Sequence, residues 1–467
     1  METKDFKEMT QHKETVADGS SEIQVGLDGL DSIEQTRTGK FSWLVSITAA
    51  IGGMLFGYDT GIISAVLVYI DNDLGHTLSS SEKELITSIT SGGAFIGAIF
   101  AGATADRFGR KIAIYVGSFL FTAGAVIQAA ANSLALMTVG RLVVGSGVGS
   151  AAMIIPLYIA ELSPAKYRGR MIGLDNMCIT GGQLVSYGVG AGFAHVHGGW
   201  RYMVGGGAIP VIILACMLPF CPESLRQLIY HGKEQEAEKV IRKIFPNGTD
   251  EQVRMKVRHI TLHVEEAKNM NAGKSQWWVL KQLYVFPSNL RALIAACGLM
   301  AISQLSGFNS LMFYSGTLFK LVGFNNPVGV GTSIIVLVSM VFFVGFYSSG
   351  IGNTAWLSSE FFPMEVRAMG TMMLTMSCWG SNIIVASTFL TQMENTTLSG
   401  AFGFYAAICV LGWFAIYFCY PEVKNMTLED IREVFSHGFG VKRAREIQKQ
   451  MKAGRKMESV SEENVKV

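Results

Sequence analysis

Charge is scarce in this chain: only 16% of its 467 residues are Asp, Glu, Lys or Arg. Ordinary soluble domains carry about 25%. With 49% hydrophobic residues, 52 glycines and a mean hydropathy of +0.34, the composition excludes an ordinary soluble globule. Paired cysteine motifs are missing as well. The seven cysteines (Cys178, Cys216, Cys221, Cys297, Cys378, Cys409 and Cys419) all lie in or beside apolar runs, which excludes a disulfide framework or a zinc ribbon. The sequence also lacks any nucleophile–base constellation, metal-ligand cluster or phosphate loop, so an enzyme is not expected. The first apolar run is too long for the h-region of a signal peptide, and it reads as an uncleaved first membrane helix.

What the chain has instead is long apolar windows. Each spans about 20 residues, enough to cross a bilayer as a helix and too long for a barrel strand. They lie at about Ser42–Val68, Leu85–Thr104, Ile112–Ala131, Leu134–Tyr158, Met171–Phe193, Tyr202–Phe220, Leu290–Phe319, Val328–Leu357, Met372–Gln392 and Ala401–Tyr420. The fold class expected is therefore an all-α polytopic membrane protein with about ten transmembrane helices. The expected division is a disordered cytosolic tail over 1–40, six helices over 41–221 and a charged helical linker over 222–289. A four-span bundle over 290–421 and a cytosolic tail over 422–467 complete it. Lys and Arg gather in one set of connections, those holding Arg107, Arg110, Lys111, Lys166, Arg168, Arg170, the linker and Arg367. The positive-inside rule then places both termini in the cytosol.

A duplicated skeleton runs through these spans. Glu161-Leu-Ser-Pro164-Ala-Lys-Tyr-Arg168 and Glu360-Phe-Phe-Pro363-Met-Glu-Val-Arg367 both read E-x-x-P-x-x-x-R at the end of an apolar run. Their offset of 199 residues also relates Pro222-Glu223 to Pro421-Glu422 and Gly181 to Gly380. Two halves related by duplication are the simplest source of such a register.

The strongest intramembrane ionisable residues of the first half are Asp59 and Arg141. A lone charge at the bilayer centre costs on the order of 2.5–3.5 kcal/mol on insertion scales, so the two are expected to pair. Protonating Asp59 would release Arg141, which could link proton binding to helix movement; a purely structural ion pair is the alternative. The turn Asp106-Arg107-Phe108-Gly109-Arg110-Lys111 joins two spans with almost no loop. It lies on the same membrane face as Glu161 and Arg168, so a charge network among Asp106, Arg107, Arg110, Glu161 and Arg168 is expected, with Glu360 and Arg367 as its second-half counterparts.

Taken together, these motifs resemble the sugar porter branch of the major facilitator superfamily over nearly the whole chain. The residues that carry the resemblance include Gly57-Tyr58-Asp59-Thr60-Gly61, Asp106-Arg107-Phe-Gly109-Arg110-Lys111 and Gly140-Arg141. Pro156-x-x-x-x-Glu161-x-x-Pro164-x-x-x-Arg168, Pro222-Glu223-Ser224 and Gln304-Leu-Ser-Gly307-Phe-Asn309 match as well. Gly181-Gly182-Gln183-Leu, Ala386-Ser-Thr-Phe-Leu-Thr391 and Cys419-Tyr-Pro421-Glu422 look most like fungal myo-inositol/proton symporters. The resemblance implies two bundles rocking about a central polyol or hexose site, lined by Gln183, Gln304, Asn309, Trp356, Trp379 and Asn382, with Asp59 and Arg141 coupling the proton. Amides both donate and accept, which suits a ring of hydroxyls, while tryptophan covers an apolar face. The expected partners are a small polyol or monosaccharide and the lipid bilayer. No nucleic acid, no metal, and no cofactor beyond the coupling proton is expected; the protein should be a plasma-membrane monomer.

The chain departs from that family in one place. The family has twelve spans, and here no basic loop separates Asn309 from Trp356. Pro327–Val336 reads like the start of the family's eighth helix and the chain from about Leu337 like its tenth, so about two helices are missing between them. Both parent helices run in the same direction, so the fused span keeps the orientation of the later spans. Ser303 stands where the family commonly has Gln, and Cys378 where Asn is common. A transporter, a non-transporting sensor on the same fold and a non-transporting truncated form all remain open at the level of sequence.

Overall fold

The computed structural model describes Ile33 and residues 39–271, 276–322, 330–363, 366–423, 426, 428–436 and 438–450. Among the described residues the regular structure is helical throughout. With no water to satisfy backbone N–H and C=O groups in a bilayer, long apolar stretches close their hydrogen bonds internally.

The first half consists of α1 (Lys40–Tyr69), α2 (Ser80–Phe108), α3 (Arg110–Ala129), α4 (Leu134–Leu162), α5 (Ala165–Phe193) and α6 (Gly199–Phe220, interrupted at Gly207). Ser79 starts α2 with a capping box closed by Glu82, and the Ser133 hydroxyl caps α4. Between α2 and α3 the turn is a single residue. Gly109 takes φ 98°, and an added Cβ would stand 2.7 Å from Glu223 Oε2, so glycine is required there on both counts.

Four helices follow: α7 (Leu225–Tyr230), α8 (Glu234–Ile244), α9 (Asp250–Asn271) and α10 (Gln276–Val285). In α8 the buried residues are Ala237, Val240, Ile241 and Ile244, one face at helical spacing. That face joins the first-half core with Val45, Ile155, Tyr158, Leu225 and Val253. The opposite end of the segment belongs elsewhere: Leu283 of α10 packs with the second half. The charged segment is thus bound to both halves.

The second half contains α11 (Pro287–Leu305), α12 (Phe308–Val322), α13 (Val330–Ser349), α14 (Ile351–Leu357), α15 (Arg367–Ala386), α16 (Phe389–Asn395), α17 (Leu398–Cys419) and α18 (Leu428–Ser436). The single span expected over Val328–Leu357 is broken. Residues 328–329 lie outside the described residues, and the helix stops at Gly350, whose φ and ψ are −101° and −97°. A Ser348-Ser349-Gly350 run offers side-chain hydroxyls and a missing Cβ where the backbone turns, a usual cause of a kink.

Among the described residues nine segments are long and apolar enough to cross a membrane. Nine of the ten expected spans correspond to them. The tenth, about Met171–Phe193, is present as the second part of α5 but is too polar to be counted, since Asp175, Asn176 and Gln183 interrupt it.

The two halves meet through α1 with α12 and α2 with α15. Ser64 Oγ lies 2.8 Å from Ser315 Oγ and accepts from the Gly316 amide at 2.9 Å. Glu84, only 4% exposed, accepts from the Thr391 amide and hydroxyl at 2.8 and 2.6 Å, and Ser80 donates to Glu394. These contacts all lie toward the Ser80 end of the bundle. The structure is therefore closed at the Ser80 end, opposite the turn that carries Arg110.

Candidate substrate and coupling site

The expected charge pair is present. Arg141 Nη1 on α4 donates to Asp59 Oδ1 on α1 at 2.8 Å, with Arg141 1% and Asp59 9% exposed. Glycines on α1 set this geometry: a Cβ at Gly57 would lie 1.8 Å from Ile179 O, and one at Gly61 2.1 Å from Ser186 Oγ. The close approach of α1 to α5 therefore depends on residues without side chains. Arg141 Nε and Nη2 are buried without a hydrogen-bond partner among the described residues. One bond to one carboxylate is a thin hold on a buried guanidinium, so this pair is open to competition from water or a moving neighbour.

The candidate amides converge between the halves. Asn309 Nδ2 donates to Gln304 Oε1 at 2.5 Å and Asn382 Nδ2 donates to the same oxygen at 3.3 Å. Ser91 of α2 then donates to Asn382 Oδ1 at 3.1 Å, so the chain of groups runs from the second half into the first. Asn309 reaches Gln304 because α11 ends at Leu305 and Gly307, at φ 84°, turns the backbone into α12. Trp379 is 3% exposed, stands edge-on to Phe56 of α1 with ring centroids 5.5 Å apart, and has no partner for Nε1 among the described residues. Gln183 is half-buried on α5 and its side-chain amide makes no hydrogen bond among the described residues. Trp356 is half-buried against the second-half core of Leu299, Phe361 and Cys378, with no hydrogen bond to the amide chain.

At the other end of the first half lies the charge network. Arg110 makes a two-pronged contact with Glu161, Nε to Oε2 and Nη2 to Oε1, both at 3.1 Å. Its Nη1 donates to Ala105 O and to Gln227 Oε1 at 3.1 and 3.0 Å. Both partners of the ion pair are under one-tenth exposed. Glu223 sits on the start of α3, accepting from the Arg110 amide at 3.0 Å and the Lys111 amide at 3.3 Å, where unpaired N–H groups favour an anion. Ser224 donates to Glu161, and Lys111 Nζ donates to Cys221 O at 2.7 Å. The side chains of Asp106, Arg107 and Arg168, expected in the same network, lie outside the described residues. Glu360 is exposed and makes no hydrogen bond or ion pair among the described residues, while Arg367 Nε donates to Phe362 O at 3.2 Å.

Sequence reasoning missed Glu223 and Gln227 as parts of this network and Ser91 as part of the amide chain. The Pro222-Glu223-Ser224 motif carried a usable signal, since it recurs at Pro421-Glu422. A serine in an apolar span carries none.

The fold and these sites define a membrane transporter of the two-bundle kind, and comparison with known proteins says the same. The family model "Sugar (and other) transporter" matches residues 45–341 and 328–435, and the chain belongs to that family. It is 38% identical to Myo-inositol transporter 1 of Cryptococcus neoformans var. grubii, a match covering 89% of this chain and 85% of the relative. It is 35% identical to Myo-inositol transporter 1 of Saccharomyces cerevisiae, covering 87% and 81%. Among solved structures, the proton:xylose symporter XylE bound to 6-bromo-6-deoxy-D-glucose has a TM-score of 0.67 at 24% identity, covering 85% of this chain and 99% of that one.

Two features of these matches bear on the missing helices. The two family-model matches overlap at 328–341, of which 330–341 lie in α13, where the sequence reading placed the fusion. The Cryptococcus alignment runs 481 positions but uses 89% of the 467 residues, about 416, leaving about 65 positions with no counterpart here. That is about two helices with their loops.

Proposed function

We propose that this sugar transporter family member recognises myo-inositol and couples its uptake to protons, as the plasma-membrane form of the fold with both termini in the cytosol. The observation that carries the polyol reading is the amide chain Asn309–Gln304–Asn382–Ser91, which lies between the halves and draws from both. In this conformation the amides satisfy one another. A ring of hydroxyls, each donor and acceptor, replaces those bonds one for one, while Gln183 and Trp379 Nε1 contribute groups that have no hydrogen-bond partner among the described residues. The names of the similar proteins select myo-inositol among polyols and hexoses.

Coupling is assigned to Asp59 and Arg141. A proton on Asp59 weakens its hold on Arg141 and frees α1 and α4 to separate. Asp59→Asn, in a transport-competent version, is expected to abolish uphill accumulation while exchange survives; accumulation that persists makes the pair structural. The linker and Arg110 end face the cytosol in this reading, so labelling should reach a cysteine at Lys256 only from inside and one at Ser80 only from outside.

Binding of labelled myo-inositol to the purified chain tests the site. We expect saturable binding that Gln304→Ala and Asn382→Ala each weaken about tenfold or more, since a lost hydrogen bond to a buried polar group costs about 1–3 kcal/mol. Binding unaffected by both changes overturns the assignment.

A second reading, a form that binds substrate without carrying it, is favoured by one observation. The most apolar window within Ile334–Phe361 has 0% of its residues buried, against 67% for α1. The contacts of α13 with the rest of the bundle gather at one end, where Tyr347 bonds Ser303 at 2.8 Å and packs with Phe343 against Phe308, a narrow hold from which to transmit a rocking movement.

A further inference from the structure

One buried acid takes no part in either site. Asp175 of α5 is 4% exposed, its Oδ1 has no hydrogen-bond partner, and its carboxyl makes no ion pair among the described residues. It lies against α1 at Gly53: a Cβ there would stand 2.2 Å from Asp175 Oδ1 and 3.0 Å from Asp175 O. The seam continues as a ladder. Gly53, Gly57 and Gly61 of α1 face Asp175, Ile179 and Gln183 of α5, at four-residue steps on both helices. Asp175 is thus on the face of α5 that carries Gln183, and six residues separate Gly53 from Asp59 along α1, about 9 Å of helix rise. Gly53 has no side chain where the carboxyl lies against α1. The glycine makes room for the acid.

Among the described residues the groups around it give no counter-charge. On α1 the neighbouring stretch is Ala49, Ala50, Gly52, Gly53, Met54, Phe56 and Gly57, with Asp59 the next ionisable residue. On α4, Arg141 is engaged by Asp59, and Glu161 is engaged by Arg110. The part of α6 packed on α5 brings Arg201, which is bound to Ala129 O, Ala131 O and Asn132. On α5 itself the nearest titratable group is Cys178, an acid in its own right. An ionised carboxylate buried in such surroundings is far costlier than a neutral carboxyl.

We infer that Asp175 is a second proton-binding site of the first half, carrying its proton while the bundle is closed at the Ser80 end. This deepens the proton-coupled reading and rests on it for its role in transport. In the present arrangement Asp59 is the ionised partner of Arg141 on α4 and Asp175, in the seam between α1 and α5, is the neutral acid, so the two carboxyls hold opposite protonation states. Asp175 lies closer than Asp59 to the Arg110 end, and it ionises when α1 and α5 part and water reaches it. Proton number is conserved: the proton leaves Asp175 for water, and the carboxylate gains solvation in exchange.

Infrared difference spectroscopy of the full chain in lipid vesicles tests this without requiring transport. A buried protonated carboxyl gives a carbonyl band that deuterium exchange shifts. The expected result is such a band at neutral pH, lost in Asp175→Asn and kept in Asp59→Asn, with the Asp175→Asn protein as thermally stable as the parent because the amide is isosteric with the neutral acid. A spectrum without the band, or a band that survives Asp175→Asn, overturns the proposal. So does marked loss of stability in Asp175→Asn, which would mark the carboxylate as ionised and paired. If uptake proves independent of the proton gradient while the band behaves as stated, the coupling reading fails and the protonation of Asp175 stands.

Discussion

The same two acids occur in each half, and they meet different fates. In the first half Glu161 grips Arg110 with both oxygens and Glu223 caps the helix that Arg110 begins. In the second half their counterparts at the 199-residue offset, Glu360 and Glu422, are both exposed. Neither makes a side-chain hydrogen bond among the described residues. The acids are alike; what differs is the helix they should address. In the first half that helix is α3, entered through the Asp106–Lys111 turn. The second half has no such turn, and the Cryptococcus relative carries about 65 positions with no counterpart in this chain. A motif therefore becomes a latch only when the fold supplies its partner, and repetition of the motif alone does not establish a second latch.

Substitutions made in pairs, one in each half, can break this comparison. The largest difference should come from Arg110→Ala against Glu360→Gln. Removing Arg110 strands Glu161 in a buried site, and breaking such a pair from one side costs about 3–5 kcal/mol. Glu360→Gln should fall within about 0.5 kcal/mol, as exposed changes do. Thermal unfolding in detergent measures both, and equal losses would erase the distinction between the halves.

Next comes the packing itself. Gly57→Ala drives a Cβ into the backbone of α5, 1.8 Å from Ile179 O, and overpacking of that kind costs about 1–3 kcal/mol. Gly345 of α13 has nothing within 4 Å of an added Cβ, so Gly345→Ala should be neutral or stabilise by up to about 1 kcal/mol through helix propensity. A comparable loss at both positions would mean that Gly345 is packed as closely as Gly57. The smallest contrast is Glu223→Gln against Glu422→Gln. The first removes an anion from a partly buried helix N-terminus, worth about 0.5–2 kcal/mol, and the second should change the melting temperature hardly at all.

Much of this was legible in the sequence, for identifiable reasons. Span positions follow from hydropathy because the bilayer forces long apolar stretches into helices. Asp59 with Arg141, and Arg110 with Glu161, follow from the cost of an unpaired charge. That no basic loop separates Asn309 from Trp356 was also legible, and the two family-model matches overlap in that stretch, at 328–341. Long-range packing was not legible. Asp175 looks like an ordinary polar residue near a span boundary until α1 presents Gly53 to it, and Ser91 joins the amide chain only because α2 crosses α15. The break at Gly350 was also missed, since mean hydropathy runs smoothly through Ser348-Ser349-Gly350 while the backbone does not. Glu223 was read as part of a motif without its role, because capping α3 requires a contact 113 residues away in sequence.

The proposal with the widest consequence is the second reading, that the first half is built as a complete bundle while the second is short of the helices needed to rock against it. Uptake of labelled myo-inositol tests it most directly, in cells without inositol uptake of their own, comparing the 467-residue chain with a version carrying a relative's missing segment between Val330 and Val341. The account predicts that the restored form takes up inositol saturably and that this chain, though inserted, does so at least about tenfold more slowly, a barrier higher by about 1.4 kcal/mol. Robust saturable uptake by the 467-residue chain, equal to that of the restored form, would contradict it.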